Sequence, residues 1–407
     1  MKVILSFLSK NRHVLSLGIT AVTISSLAGL IAGLVLGAMS DTLALLPGLM
    51  ILIPAAIGIR GAIFGAVGSR LGTALNTGVF ELSFNRGSIL RDNFAIAMVL
   101  MTIMSMAMGL CVDFISDFLG IKNIGVLDFV FISVVAGIPA GFILIFTNIL
   151  IAYLGFKRSW DIDNISCPII TTVGDIITLP LLNMAAILML DIKKAGWGEL
   201  IDISSIVFMI ATIGIGAKYT LTSRREVKRA IHESFPILFL CMLLFILAGT
   251  VIEQRLEYLI TFPALLVFIP PFLDTGGNLG GILSSRLASK LHMGLIEQRM
   301  VPNRLVLEDF ASIYLISLWV YPLLGFSIHC ISPSIGLESP GALAMVIIAT
   351  FSGLLIISIL NIIAYFTAIY SYKLNLDPDN FGVPITTAVV DLCGAVVLTV
   401  VINFTLG

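Results

Sequence analysis

Long apolar runs dominate this chain and restrict it to one kind of fold. Stretches long enough to span a bilayer, about 20 residues of helix for a hydrocarbon core of about 30 Å, fall near 14–38, 44–68, 94–119, 126–155, 167–192, 199–217, 232–252, 257–284, 309–332, 341–371 and 382–406. In hydrocarbon every backbone N–H and C=O must find its partner inside the structure, so runs of this length read as helices. Composition agrees: 58% of the 407 residues are hydrophobic and 12% charged, with mean hydropathy +1.09. A soluble domain carries roughly 25% charged residues. The expectation is an all-α polytopic membrane protein with about 11 transmembrane helices. Glycine and proline interrupt the second and eighth runs. The first run, Val14 to Met39, exceeds the apolar length of a signal peptide and reads as a retained helix.

Basic residues set the orientation. With the N-terminus in the cytoplasm, one side collects Lys2, Lys10, Arg12, Arg70, Arg86, Arg91, Lys157, Arg158, Lys218, Arg224, Arg225, Lys228, Arg229, Arg286, Lys290, Arg299, Arg304 and Lys373. The other side receives Lys122, Lys193, Lys194 and Arg255, and Arg60 lies within a run. The C-terminus is then external, and the expected location is the cell membrane. A net charge of −1 gives no basic footprint for nucleic acid. The five cysteines and four histidines are scattered, without disulfide or zinc spacing.

The chain repeats itself at an offset of 216 residues. Pro54, Gly61, Gly65, Ser69, Arg70, Leu71, Leu75, Gly78 and Glu81 recur as Pro270, Gly277, Gly281, Ser285, Arg286, Leu287, Leu291, Gly294 and Glu297. DIDNISCPIITTVGD (161–175) recurs as DPDNFGVPITTAVVD (377–391). Chance matches Leu or Val, and rarely Asp, Asn, Pro, Thr and Arg in register. The layout is 5+1+5: a first copy over 1–197, a linker helix and cytoplasmic loop over 198–228, and a second copy over 229–407. Five spans per copy would invert the second copy, so the run at 199–217 acts as a sixth crossing. The copies are then parallel and pseudo-symmetric.

Ionisable groups inside a membrane cost about 2.5–3.5 kcal/mol on insertion scales and are usually functional. Asp175 and Asp391 lie about nine residues inside the fifth helix of each copy, roughly 14 Å deep. Thr171 and Thr387, four residues earlier, share their helical faces, and Pro168 and Pro384 are expected to open those helices. Across a pseudo-twofold axis the two carboxylates would repel unless one protonated or a cation joined them. Magnesium suits such a pair, because it keeps most of its waters and takes one or two carboxylates. Asn278, in the glycine-rich DTGGNLGG stretch, is a further ligand candidate. Asp163, Asp379, Asp92, Glu308 and Asp309 flank the cytoplasmic side, where they would concentrate cations or cap helices. Arg60 and Asp274 are charges unique to opposite copies, and an inter-repeat ion pair between them is expected.

At these residues the sequence resembles the MgtE family of magnesium channels and transporters, in the fused two-repeat form of the eukaryotic solute-carrier magnesium transporters. The likeness rests on Gly277-Asn278 in the second helix and on Asp377, Pro378, Pro384, Thr386, Thr387 and Asp391 around the fifth. The first copy keeps Pro168, Thr171, Thr172 and Asp175 but has Ala62 for the asparagine and Ile162 for the proline. The resemblance implies Mg²⁺ as transported ion, with no organic cofactor, through a pore between two five-helix units whose fifth-helix aspartates bind the hydrated ion. The cytoplasmic magnesium-sensing domains of the family have no counterpart expected here. Partners are thus a divalent metal ion and the lipid bilayer; a functional monomer is expected, with a homodimer as alternative. Two other functions stay open: a Na⁺- or H⁺-coupled divalent-cation exchanger, and, as a remote alternative, an intramembrane aspartyl protease.

The orientation has a direct check. A cysteine at position 226, in a background without native cysteines, should be labelled by impermeant reagent only after the cells are opened. Labelling in intact cells would reverse the assignment.

Overall fold

The structure is a computed structural model that describes residues 12–76, 78–85, 87–158, 162–222, 224–296, 301–373 and 383–406. Its helices are α1 (Arg12–Ala38), α2 (Ser40–Leu45), α3 (Leu49–Asn76), α4 (Ile89–Phe118), α5 (Val126–Arg158), α6 (Ile162–Lys194), α7 (Gly198–Thr222), α8 (Arg225–Glu253), α9 (Leu256–Thr261), α10 (Pro263–His292), α11 (Arg304–Ile331), α12 (Ala342–Lys373) and α13 (Val383–Leu406). Among the described residues, ten helices are long and apolar enough to cross a membrane by length and composition. Helix α10 is as long, at 30 residues, but carries Asp274, Asn278 and Arg286 between its apolar positions. Asp274 and Asn278 belong to the cluster described below.

Local chemistry explains where several helices start and bend. Ser88 caps α4 by accepting from the Arg91 N–H at 3.3 Å, and Asn303 caps α11 by accepting from the Val306 N–H at 3.0 Å. Such caps satisfy N–H groups that the first turn leaves unpaired. Prolines stand inside α3, α5, α8, α10 and α11, where long helices absorb one lost backbone bond each. Pro384 lies at the start of α13, as expected. Helix α6 begins at Ile162, upstream of Pro168, so that proline does not open its helix.

The chain divides into two compact units. Unit 1 comprises residues 1–40 and 255–407; α10 packs on α1, α11, α12 and α13, and α1 also meets α11. Unit 2 comprises residues 41–254; α3 packs on α4, α5, α6 and α8, and α8 also meets α4. Helix α7 rests on α4, α5 and α6 of unit 2 and turns Ile203, Ile206, Val207, Ile210 and Ile213 outward, a surface suited to lipid. The units do not follow the sequence copies. Helix α1 opens the first copy yet packs with helices of the second, and α8 opens the second copy yet packs with helices of the first.

Glycines allow these leading helices to dock. A Cβ placed on Gly33 of α1 would stand 2.1 Å from the carbonyl oxygen of Val267 on α10. One on Gly249 of α8 would stand 2.5 Å from that of Ile51 on α3. These contacts are the same contact at the repeat offset. A second pair recurs likewise: Gly109 against the Val130 N–H at 2.7 Å and Gly325 against the Met345 carbonyl at 2.6 Å. Only glycine permits backbones this close, the small-residue packing characteristic of membrane helices.

Gly33→Leu and Gly249→Leu should each destabilise the protein by about 3 kcal/mol or more, because the clash is with backbone. Gly214→Leu on α7, where a Cβ meets nothing within 4 Å, should be tolerated. Thermal unfolding in detergent measures all three, and equal tolerance at Gly33 and Gly214 would contradict the packing.

Candidate cation site

In unit 1 four helices bring polar side chains to one place. Asp274 and Asn278 stand one turn apart on α10, and the Asn278 amide donates to Asp274 Oδ2 at 2.9 Å. Ser25 of α1 donates to the same oxygen at 3.1 Å and accepts from Asn278 at 2.9 Å. Beside them, the hydroxyls of Ser26 and Thr275 meet at 2.6 Å, and Thr275 also donates to the Pro271 carbonyl. Asp391 of α13 lies near enough for the charge of Asp274 to act on it. Both carboxylates act on the phenol of Tyr321 from α11. Asp274, Asn278 and Asp391 are half-buried. Tyr321 is 1% exposed, and its hydroxyl has no hydrogen-bond partner among the described residues.

Thr387 donates to the Pro384 carbonyl at 2.9 Å, closing the first turn of α13. Its methyl lies 3.7 Å from a Cβ placed on Gly277 of α10. In unit 2 the methyl of Thr171 lies 3.6 Å from a Cβ placed on Gly61 of α3. The expected threonines therefore sit where the fifth helix of each copy passes the glycine step of the second.

Unit 2 places Asp175 on α6, 7% exposed. The positions that correspond to Ser25, Asp274, Asn278 and Tyr321 hold Cys241, Gly58, Ala62 and Ser105. Unit 2 thus keeps the fifth-helix acid but has different residues at the other four positions. Instead Arg60, at the position of Gly276, is fully buried, and its guanidinium nitrogens have no hydrogen-bond partner among the described residues. A volume exchange accompanies this difference. The Tyr321 ring passes so close to Gly353 that a Cβ there would be 2.2 Å away. The counterpart, Gly137, faces only the Ser105 hydroxyl at 2.3 Å and the Met101 methyl at 3.2 Å.

The expected cytoplasmic acids are engaged with bases. Asp309 is bound by Lys290 and lies 3.6 Å from Arg286. Asp92 meets Arg224 at 3.0 Å, and Glu308 meets Arg304 at 3.4 Å. Their charges are partly offset, which reduces the field they present to an approaching cation. Asp379 and the side chain of Asp163 lie outside the described residues.

Sequence reasoning missed Ser25 and Tyr321. Both look like ordinary polar breaks in apolar helices, yet each differs from its counterpart in the other copy, and that difference is the signal that finds them. Chemically, the unit 1 cluster offers two carboxylates with a phenol, an amide and a hydroxyl, all hard oxygen or amide groups suited to an alkaline-earth ion. Among the described residues no group of three or more His, Cys, Asp or Glu gathers, so a tight cage for a transition metal is not built.

Known proteins bear on what this arrangement does. The MgtE family model, a divalent cation transporter, matches residues 53–185 and 269–401, which run from α3 into α6 and from α10 into α13. The two matches begin and end at the same 216-residue offset as the internal repeat. Among curated proteins, mouse solute carrier family 41 member 3 is 26% identical over 371 residues, covering 86% of this chain and 74% of its own length. Human solute carrier family 41 member 2 is 22% identical over 381 residues, covering 87% of this chain and 63% of its own. Among solved structures, the eukaryotic MATE transporter AtDTX14 aligns over 96% of both chains at a TM-score of 0.37 and 12% identity, too low to carry an argument. The match also corrects the protease alternative, since the matched family consists of membrane transporters and not enzymes. With more than half of its residues matched, once in each copy, the chain belongs to the MgtE family of divalent cation transporters.

Proposed function

We propose that this chain carries Mg²⁺ across the cell membrane, with Asp175 and Asp391 as acidic ligands on the path of the hydrated ion. The observation that supports this most is positional. Both acids stand at the same place in the fifth helix of their copies, within apolar helices of the matched segments. Carboxylates in such helices are costly unless they serve an ion or a proton. Few protein ligands favour an ion that keeps most of its water, as Mg²⁺ does, and weak binding is what lets a transported ion leave. Thr171 and Thr387 add hydroxyls one turn from each acid, and Asn278 adds an amide. One chain carries both acids and acts as a monomer.

Asp175→Asn and Asp391→Asn should each lower Mg²⁺ uptake into proteoliposomes by about tenfold or more while leaving the folded yield unchanged. Asparagine keeps the shape and removes the charge on which an outer-sphere divalent ion depends. Wild-type uptake in both single variants would contradict the proposal.

A further inference from the structure

The polar cluster of unit 1 contains more than the family aspartate. We propose that unit 1 by itself holds one cation-binding site on that path, with Asp274 as the second carboxylate beside Asp391 and with Asn278, Ser25 and Tyr321 completing it. This deepens the transport reading and rests on it. The ligand is a divalent alkaline-earth ion that keeps part of its water shell.

Three observations lead there. First, α13 and α10 pack closely here, the Val390 side chain lying 3.2 Å from a Cβ placed on Gly276, so that Asp391 and Asp274 stand beside this contact. No basic residue of unit 1 forms an ion pair with either among the described residues. Two acids in such a place are relieved by a proton or by a cation, and a divalent ion neutralises both. Second, Asp274 is held in position. Ser25 and Asn278 both donate to its Oδ2, which fixes the carboxylate plane and leaves Oδ1 to meet a ligand or its water. Third, the Tyr321 hydroxyl is buried without a partner among the described residues, and its oxygen lies 3.7 Å from a Cβ placed on Gly276, two residues after Asp274. A buried phenol left unpaired is costly, and a hydrated ion at the cluster would give it a partner. Unit 2 has none of these additions: Gly58, Ala62, Cys241 and Ser105 occupy the matching positions. The site is therefore asymmetric, and Ser25 reaches it only because α1 packs with α10.

The test uses the full-length chain in detergent, with thermal unfolding followed as MgCl₂ is titrated and NaCl of equal ionic strength as control. A ligand that binds the folded state raises the melting temperature by mass action. In the wild type Mg²⁺ should raise it. Asp274→Asn should increase the half-saturating Mg²⁺ concentration by about tenfold or more, as Asp391→Asn does. Tyr321→Phe keeps the ring against Gly353 and guards against a folding defect in the Asp274 variant. It should raise the half-saturating concentration severalfold with little change in melting temperature without Mg²⁺. Wild-type titrations for both Asp274→Asn and Tyr321→Phe would overturn the inference and leave the transport proposal standing. No Mg²⁺-dependent shift in the wild type would also overturn it, whereas a wild type without Mg²⁺ uptake would remove the transport proposal itself.

Discussion

In each unit the leading helix and the central helix touch backbone to backbone, at Gly33 against Val267 and at Gly249 against Ile51. In a bilayer there is no hydrophobic gain from moving an apolar side chain from lipid to protein, so helices associate through close packing and polar contacts. A glycine step supplies the packing, and it draws neighbouring side chains within hydrogen-bond reach. One helical turn or two before Gly33, Ser25 and Ser26 meet Asp274, Asn278 and Thr275. The docking contact and the polar cluster are therefore one construction, and α10 is its centre.

Duplication supplied two copies of this construction, and the copies have taken different chemistry. Unit 1 gathered a second carboxylate, an amide, a hydroxyl and a phenol around its fifth-helix acid. Unit 2 has Asp175 with Cys241, Gly58, Ala62 and Ser105 at the other positions, and it buries Arg60 at the position of Gly276. The difference is local: the Tyr321 ring packs on Gly353, while the smaller Ser105 packs on Gly137. A transporter assembled from two identical chains could not carry such a difference, because every substitution would appear twice. Fusion into one chain makes an asymmetric ion site available to selection.

Much of this was legible in the sequence. Apolar runs located the long helices, and polar identities in register located the repeat and both fifth-helix acids. Asn278 and the threonines followed from the same register. The partner of each leading helix was not legible. A repeat aligns Gly33 with Gly249 but does not say which copy's helix each will dock on, and that pairing joins residues far apart in the chain. Asp274 was noticed for its charge and assigned a partner in the opposite copy. Within its unit it is held by Ser25 and Asn278, contacts that its charge alone did not announce. Tyr321 carries no periodic signal, since one aromatic in an apolar helix is ordinary. Its meaning emerges only when its hydroxyl is found buried near two acids.

The central claim is that a divalent ion sits at the unit 1 acids, and its most direct test is to see the ion. Crystals of the full chain soaked in Mn²⁺, an oxygen-seeking ion that scatters anomalously, would give an anomalous difference map independent of any mutation. The account predicts a peak facing Asp391 and Asp274 within reach of the Asn278 and Tyr321 side chains. Anomalous peaks confined to other sites, with none at this pair under saturating Mn²⁺, would contradict it.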